Sequence, residues 1–200
     1  MEEVDGRSLH ELLQQKREVG QAAFSLRGAC SIVTHILNAL AYAHTSTFHG
    51  ALTTANVFVD RSGQVKLTEF GLAQALPVLA RLGNAVHAGD LAAMAPEFVA
   101  TPELVDARAD IYSTGAILFE LLTGRAPSES LFRPSTILAG LPVEIDHVIE
   151  RCLAPEPGDR FATVAELRQA LAAVIQDGPT TAEDLPDPTL QSRHLAASST

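Results

Sequence analysis

Between residues 110 and 123 the chain carries Ile111, Tyr112, Ala116, Ile117, Leu118, Phe119, Leu121 and Leu122. At a helical repeat these leave no continuous polar face. A helix that is apolar all round belongs in the centre of a domain, with other elements packed round it. Gly124 follows as a helix stop. Neighbouring segments supply the surrounding layer. Residues 7–15 read as a short amphipathic stretch. Residues 24–44 place Leu26, Cys30, Val33, Leu37 and Leu40 on one face, with Ile32 and Ile36 beside them. Residues 142–153 form another amphipathic helix. The last, over 163–176, opens with the capping-box pair Thr163 and Glu166 and carries the stripe Val164, Leu167, Leu171, Val174 and Ile175. Two β-prone runs, 56–59 and 64–67, flank the turn sequence Asp60-Arg-Ser-Gly63, which predicts a hairpin. Residues 72–97 read as irregular. The expected fold class is mainly α with a small β-hairpin and no internal repeat.

Charge and cysteine usage exclude several functions. The net charge is −10, and Lys16 and Lys66 are the only lysines. Nucleic-acid binding needs a basic stripe, so neither nucleic acid nor an anionic membrane surface is an expected partner. No run of about 18 apolar residues occurs, so no membrane span is expected. Met1 is followed by Glu2, Glu3 and Asp5, the reverse of a signal peptide's basic start. Cys30 and Cys152 lie in unrelated helical segments, with no CxxC or His/Cys cluster. Buried free thiols in a reducing cytoplasm are the expected reading. After Gln176 the composition turns to Pro, Thr, Ser, Asp and Ala without periodicity, and the tail over 177–200 is expected to be disordered.

Five short patterns fall in order along this frame: His-Gly-Ala-Leu-Thr-Thr-Ala-Asn from His49 to Asn56, Glu-Phe-Gly at 69–71, Ala-Pro-Glu at 95–97, Asp-Ile-Tyr-Ser-Thr-Gly from Asp110, and Pro-Gly-Asp-Arg ending at Arg160. In sequence and spacing the set resembles the C-terminal lobe of a protein kinase of the Ser/Thr (Hanks) type, in its bacterial branch. The resemblance covers 1–176. It implies a hinge-like segment over 1–6, a kinase C-lobe over 7–176, and the absence of the N-lobe with its glycine-rich loop and nucleotide-pairing Lys. Met1 falls at the hinge, where kinases often carry Met, so an upstream start with both lobes is the other reading of the chain.

The same resemblance marks what has changed. Phosphoryl transfer rests on positioning and charge neutralisation. Ala51 stands at the position of the Asp that accepts the substrate proton, Thr53 at that of the catalytic-loop Lys, and Gly50 at that of the Arg before the Asp. No catalytic position is intact. Glu69 replaces the Mg²⁺-holding Asp of Asp-Phe-Gly; its carboxylate reaches one methylene further, and Mg²⁺ demands near-ideal geometry. Asn56 is either the retained second metal position or a structural Asn leading into the strand. Residues 69–97 hold no Ser, Thr or Tyr, so activation by phosphorylation there is excluded. The positions that match the family are architectural: His49 and Phe70 in its internal column, Gly71 beside them, Glu97 with Arg160 as its buried salt bridge, and Asp110 on the catalytic-loop backbone.

The expectation is therefore a pseudokinase: a non-catalytic module that binds a protein partner in signalling, through an apolar surface near the hinge and hairpin left open by the absent N-lobe. No cofactor is expected. The alternative is a truncated kinase with residual ATP/Mg²⁺ binding at Asn56 and Glu69 and weak phosphotransferase activity.

Overall fold

The computed structural model describes residues 5–20, 23–70, 93–127 and 133–177. Strand β1 (Gly6–Ser8) leads into helix α1 (Leu9–Glu18), and α2 (Leu26–Ala43) precedes strands β2 (Val57–Asp60) and β3 (Val65–Leu67). Then come α3 (Glu97–Ala100), a 3₁₀ turn, α4 (Arg108–Thr123), α5 (Pro134–Ile137), α6 (Val143–Cys152), a second 3₁₀ turn, and α7 (Val164–Asp177).

Helix α4 is the centre. Its buried residues lie on all sides and include Ala109, Ile111, Ile117, Leu118, Phe119, Leu121 and Leu122. It packs against α2 and α6, and α7 packs against both of those. The contact with α6 is very close: a Cβ on Gly115 would lie 2.3 Å from the Cβ of Cys152. Only a residue without a side chain fits there. Gly124 ends α4 in the left-handed conformation, φ 70°, as its lack of a Cβ allows. Cys30 and Cys152 are free and buried. Burial pushes the Cys30 thiol up to about 12 and raises that of Cys152 as well, so neither is a ready nucleophile.

The hairpin is part of a three-stranded antiparallel sheet in the order β1-β2-β3. The added strand sits where the sequence reads as hinge and helix start. Gly6 pairs with Asp60, and a Cβ on Gly6 would come within 2.7 Å of the Val59 carbonyl oxygen. Ser8 then caps α1: its Oγ accepts from Glu11 N at 3.2 Å, while Glu11 Oε2 accepts from Ser8 N at 2.9 Å. That reciprocal pair starts the helix at Leu9 rather than at residue 7. At the other end α7 runs to Asp177, one residue into the expected tail; residues 178–200 lie outside the described part.

At α7, Thr163 Oγ1 accepts from Glu166 N at 3.2 Å. Glu166 Oε2 reaches past the cap and accepts from Ala162 N at 3.1 Å. In the β2–β3 turn, Asp60 Oδ1 accepts from Ser62 Oγ, Ser62 N and Gln64 N at 2.6, 2.8 and 3.0 Å. The Ser62 hydroxyl, with the Gln64 amide, holds this carboxyl below its ordinary value.

Candidate functional site

The loop from His49 to Asn56 follows α2 and is held from below by α4. Asp110, in the first turn of α4, is fully buried. Its Oδ2 accepts from His49 N at 2.8 Å and its Oδ1 from Gly50 N at 2.6 Å. His44, at the end of α2, donates from Nε2 to the same Oδ2 at 2.8 Å. One carboxylate thus ties the end of α2, the loop backbone and α4 together. Gly50 itself has φ 75°, a conformation that favours glycine.

The rest of the loop closes on itself. Asn56 Oδ1 accepts from Thr53 N, and Asn56 Nδ2 donates to the Ala51 carbonyl, both at 2.8 Å. Thr53 Oγ1 accepts from Ala55 N at 3.3 Å. The His49 ring donates from Nε2 to Thr68 O at 2.9 Å and meets the Phe70 ring at 4.6 Å between centroids. Phe70 nevertheless remains 42 % exposed. Beside it Glu69 is exposed and has φ 66°. For a residue with a Cβ this costs on the order of 1–2 kcal/mol.

A second support lies across the fold. Arg160 Nη1 and Nη2 donate to Glu97 Oε1 and Oε2 at 2.6 and 2.7 Å, a bidentate pair in the interior. The remaining N–H groups go to the carbonyls of Arg108, Ala154 and Pro155. The guanidinium also sits 5.0 Å from the Tyr112 ring centre. Every donor of this arginine has a partner, which is the condition for burying it.

Onto this geometry, the protein kinase domain family matches residues 1–171. The chain belongs to the protein kinase family. It is 32 % identical over 194 residues to serine/threonine-protein kinase PknB of Mycolicibacterium smegmatis, covering 87 % of this chain and 30 % of that one. It is 27 % identical over 212 residues to PknL of Mycobacterium tuberculosis, covering 98 % and 52 %. Among solved structures, the Mycobacterium tuberculosis PknI kinase domain superposes with a TM-score of 0.68 at 27 % identity, covering 87 % of this chain and 64 % of that one. The chain therefore spans between about a third and a half of these curated relatives.

Within this kinase-like domain the fold gathers His49, Ala51, Thr53, Asn56 and Asp110 round one loop, with Phe70 on the His49 ring and Glu69 at the open edge. Glu97 and Arg160 pair elsewhere, and Gly71 lies outside the described residues. His44 was not legible as a site residue: its partner Asp110 is 66 positions away, and no local pattern marks it. Ala51, Met94 and Phe98 form a small apolar cluster that no periodicity signals either. Among the described residues, little of the apolar surface expected near the hinge and hairpin lies at the hairpin itself. Val57 is buried in the main core, and Val59, Val65 and Leu67 pack against it, leaving Phe70 as the exposed large apolar residue there. Among the described residues no helix is long and apolar enough to cross a membrane, and no cluster of His, Cys, Asp and Glu is placed to hold a metal ion.

Proposed function

We propose that this chain is a pseudokinase domain: a bacterial Ser/Thr kinase fold, working in the cytoplasm, that no longer transfers phosphate and acts by binding a protein partner in signalling. The observation that carries this is Ala51 in the loop that Asp110 holds. A methyl group cannot accept the proton of a substrate hydroxyl. Thr53, in place of the loop lysine, uses its hydroxyl on the neighbouring Ala55 amide and offers no positive charge to a phosphate. The frame round these positions has its polar groups satisfied, which supports a domain kept for its shape.

The fit to ATP and Mg²⁺ is poor on the same grounds. Asn56 has its amide oxygen on Thr53 N and its amide nitrogen on Ala51 O, which favours the structural reading of this residue over the metal-binding one. Glu69 presents an exposed carboxylate, and this is the one feature that favours residual nucleotide–metal binding. In the proposed reading the partner binds the exposed surface beside this loop, with Phe70 at its centre.

Thermal unfolding with and without millimolar ATP and Mg²⁺ decides between the two. The pseudokinase reading expects no metal-dependent shift and no transfer of labelled phosphate to a protein substrate. A ligand at 100 times its dissociation constant adds roughly 2.7 kcal/mol. A rise of several degrees that disappears in Glu69→Ala would move the assignment to a kinase with residual nucleotide–metal binding.

A further inference from the structure

The position of Ala51 is chemically empty but not spatially empty. The residue is 7 % exposed, and it clusters with Met94 and Phe98, against which Val105 packs. This cluster is separate from the main core. Its outer wall is pinned on two sides. Ser113 Oγ, on α4, donates to the Ala93 carbonyl at 2.8 Å, and Glu97, next to Phe98, is locked to Arg160. Its inner wall is pinned as well, because the amides of His49 and Gly50, next to Ala51, donate to Asp110. Neither wall can withdraw without breaking buried hydrogen bonds.

We propose that Ala51, Met94, Phe98 and Val105 form a latch that fastens the segment from Ala93 onward over the loop from His49 to Asn56, closing the place a substrate hydroxyl would have to enter. The inference rests on the pseudokinase reading and adds to it: packing, as well as a missing carboxylate, keeps the chain out of a catalytic arrangement. A carboxylate at residue 51 would face the Met94 thioether and the Phe98 ring. Neither can replace the water that a charged group loses on burial. The charge would have to push the two walls apart.

Thermal unfolding of the 200-residue chain and of Ala51→Asp, Met94→Ala and the double variant tests this. Ala51→Asp is expected to lower Tm by about 3 °C or more. In the Met94→Ala background, where the latch is already loosened, the same change is expected to cost less than half as much. No drop, or equal drops in the two backgrounds, overturns the latch. If Ala51→Asp does not fold, Ala51→Ser is read in the same two backgrounds with the same criterion. The variants are also incubated with ATP, Mg²⁺ and casein. Phosphorylation of casein by Ala51→Asp, absent from the unchanged chain, overturns the latch and leaves the pseudokinase reading standing. Phosphorylation by the unchanged chain removes that reading, while the coupling between residues 51 and 94 still judges the latch.

Discussion

At Arg160 five N–H groups are buried and all five are accepted by oxygen atoms of the fold. At Ala51 a methyl group lies among apolar neighbours, where the proposed reading places the carboxylate of an active kinase. The two sites are built in opposite ways within one domain. A polar side chain whose partners are inside the protein is hard to remove, because its loss strands the other in a medium that cannot hydrate it. In the proposed reading, positions 51 and 53, whose partners would arrive from outside, carry a methyl group and a neutral hydroxyl. A fold does not depend on its substrate, so chemistry can leave without taking the architecture with it.

The comparison breaks most visibly if the retained polar frame proves dispensable. Arg160→Met leaves Glu97 buried and unpaired; it is expected to cost about 3–5 kcal/mol, measured by urea unfolding at constant m. Next comes Asp110→Ala, which strands the amides of His49 and Gly50 and the ring of His44. About 2–4 kcal/mol is expected from those unmet donors, with a matching loss of protease resistance at residues 44–56. A result below about 1 kcal/mol for either variant would put the frame and the reacting positions on the same footing.

Smaller effects sharpen the contrast. Gly115→Ala drives a methyl group into Cys152, and overpacking of this kind costs about 1–3 kcal/mol. On the reacting side the sign reverses. Glu69→Gly removes a left-handed residue with a side chain and is expected to raise stability by up to about 1 kcal/mol, read as a rise in Tm.

The least effect comes from acid. Asp106 is held below its ordinary value first by the side-chain hydrogen bond from Arg108, and Asp60 chiefly by the Ser62 hydroxyl. Because their folded pKa lies below the unfolded value, near 3.9, the stability they add is present above that value. It is lost as pH falls through the lower, folded one. Both carboxylates are only partly buried, so a shallow decline of Tm below about pH 4 is expected, made shallower by Asp106→Asn.

Much of this was readable in advance for a physical reason. The all-round apolar pattern at 110–123 has one solution, a central helix, and the turn chemistry of residues 60–63 has one geometry. What escaped was whatever depends on a distant partner. Strand β1 is three residues long, too short to show alternation, and exists because β2 lies beside it. His44 acquires its place from Asp110, and Ala51 acquires its neighbours from residues 94–105. The identities at 51, 53 and 69 were plain from the sequence, but the fact that Asn56 has both ends of its amide engaged needed the fold.

The grip of Asp110 on the loop has a kinetic side. The amide hydrogens of His49 and Gly50 are bonded to a carboxylate some 60 residues downstream, on the helix round which the domain is built. They can reach solvent deuterium only when that helix leaves. In native-state exchange these two amides should therefore behave as if they belonged to α4, reporting the slowest and most global opening of the domain although they sit in a loop.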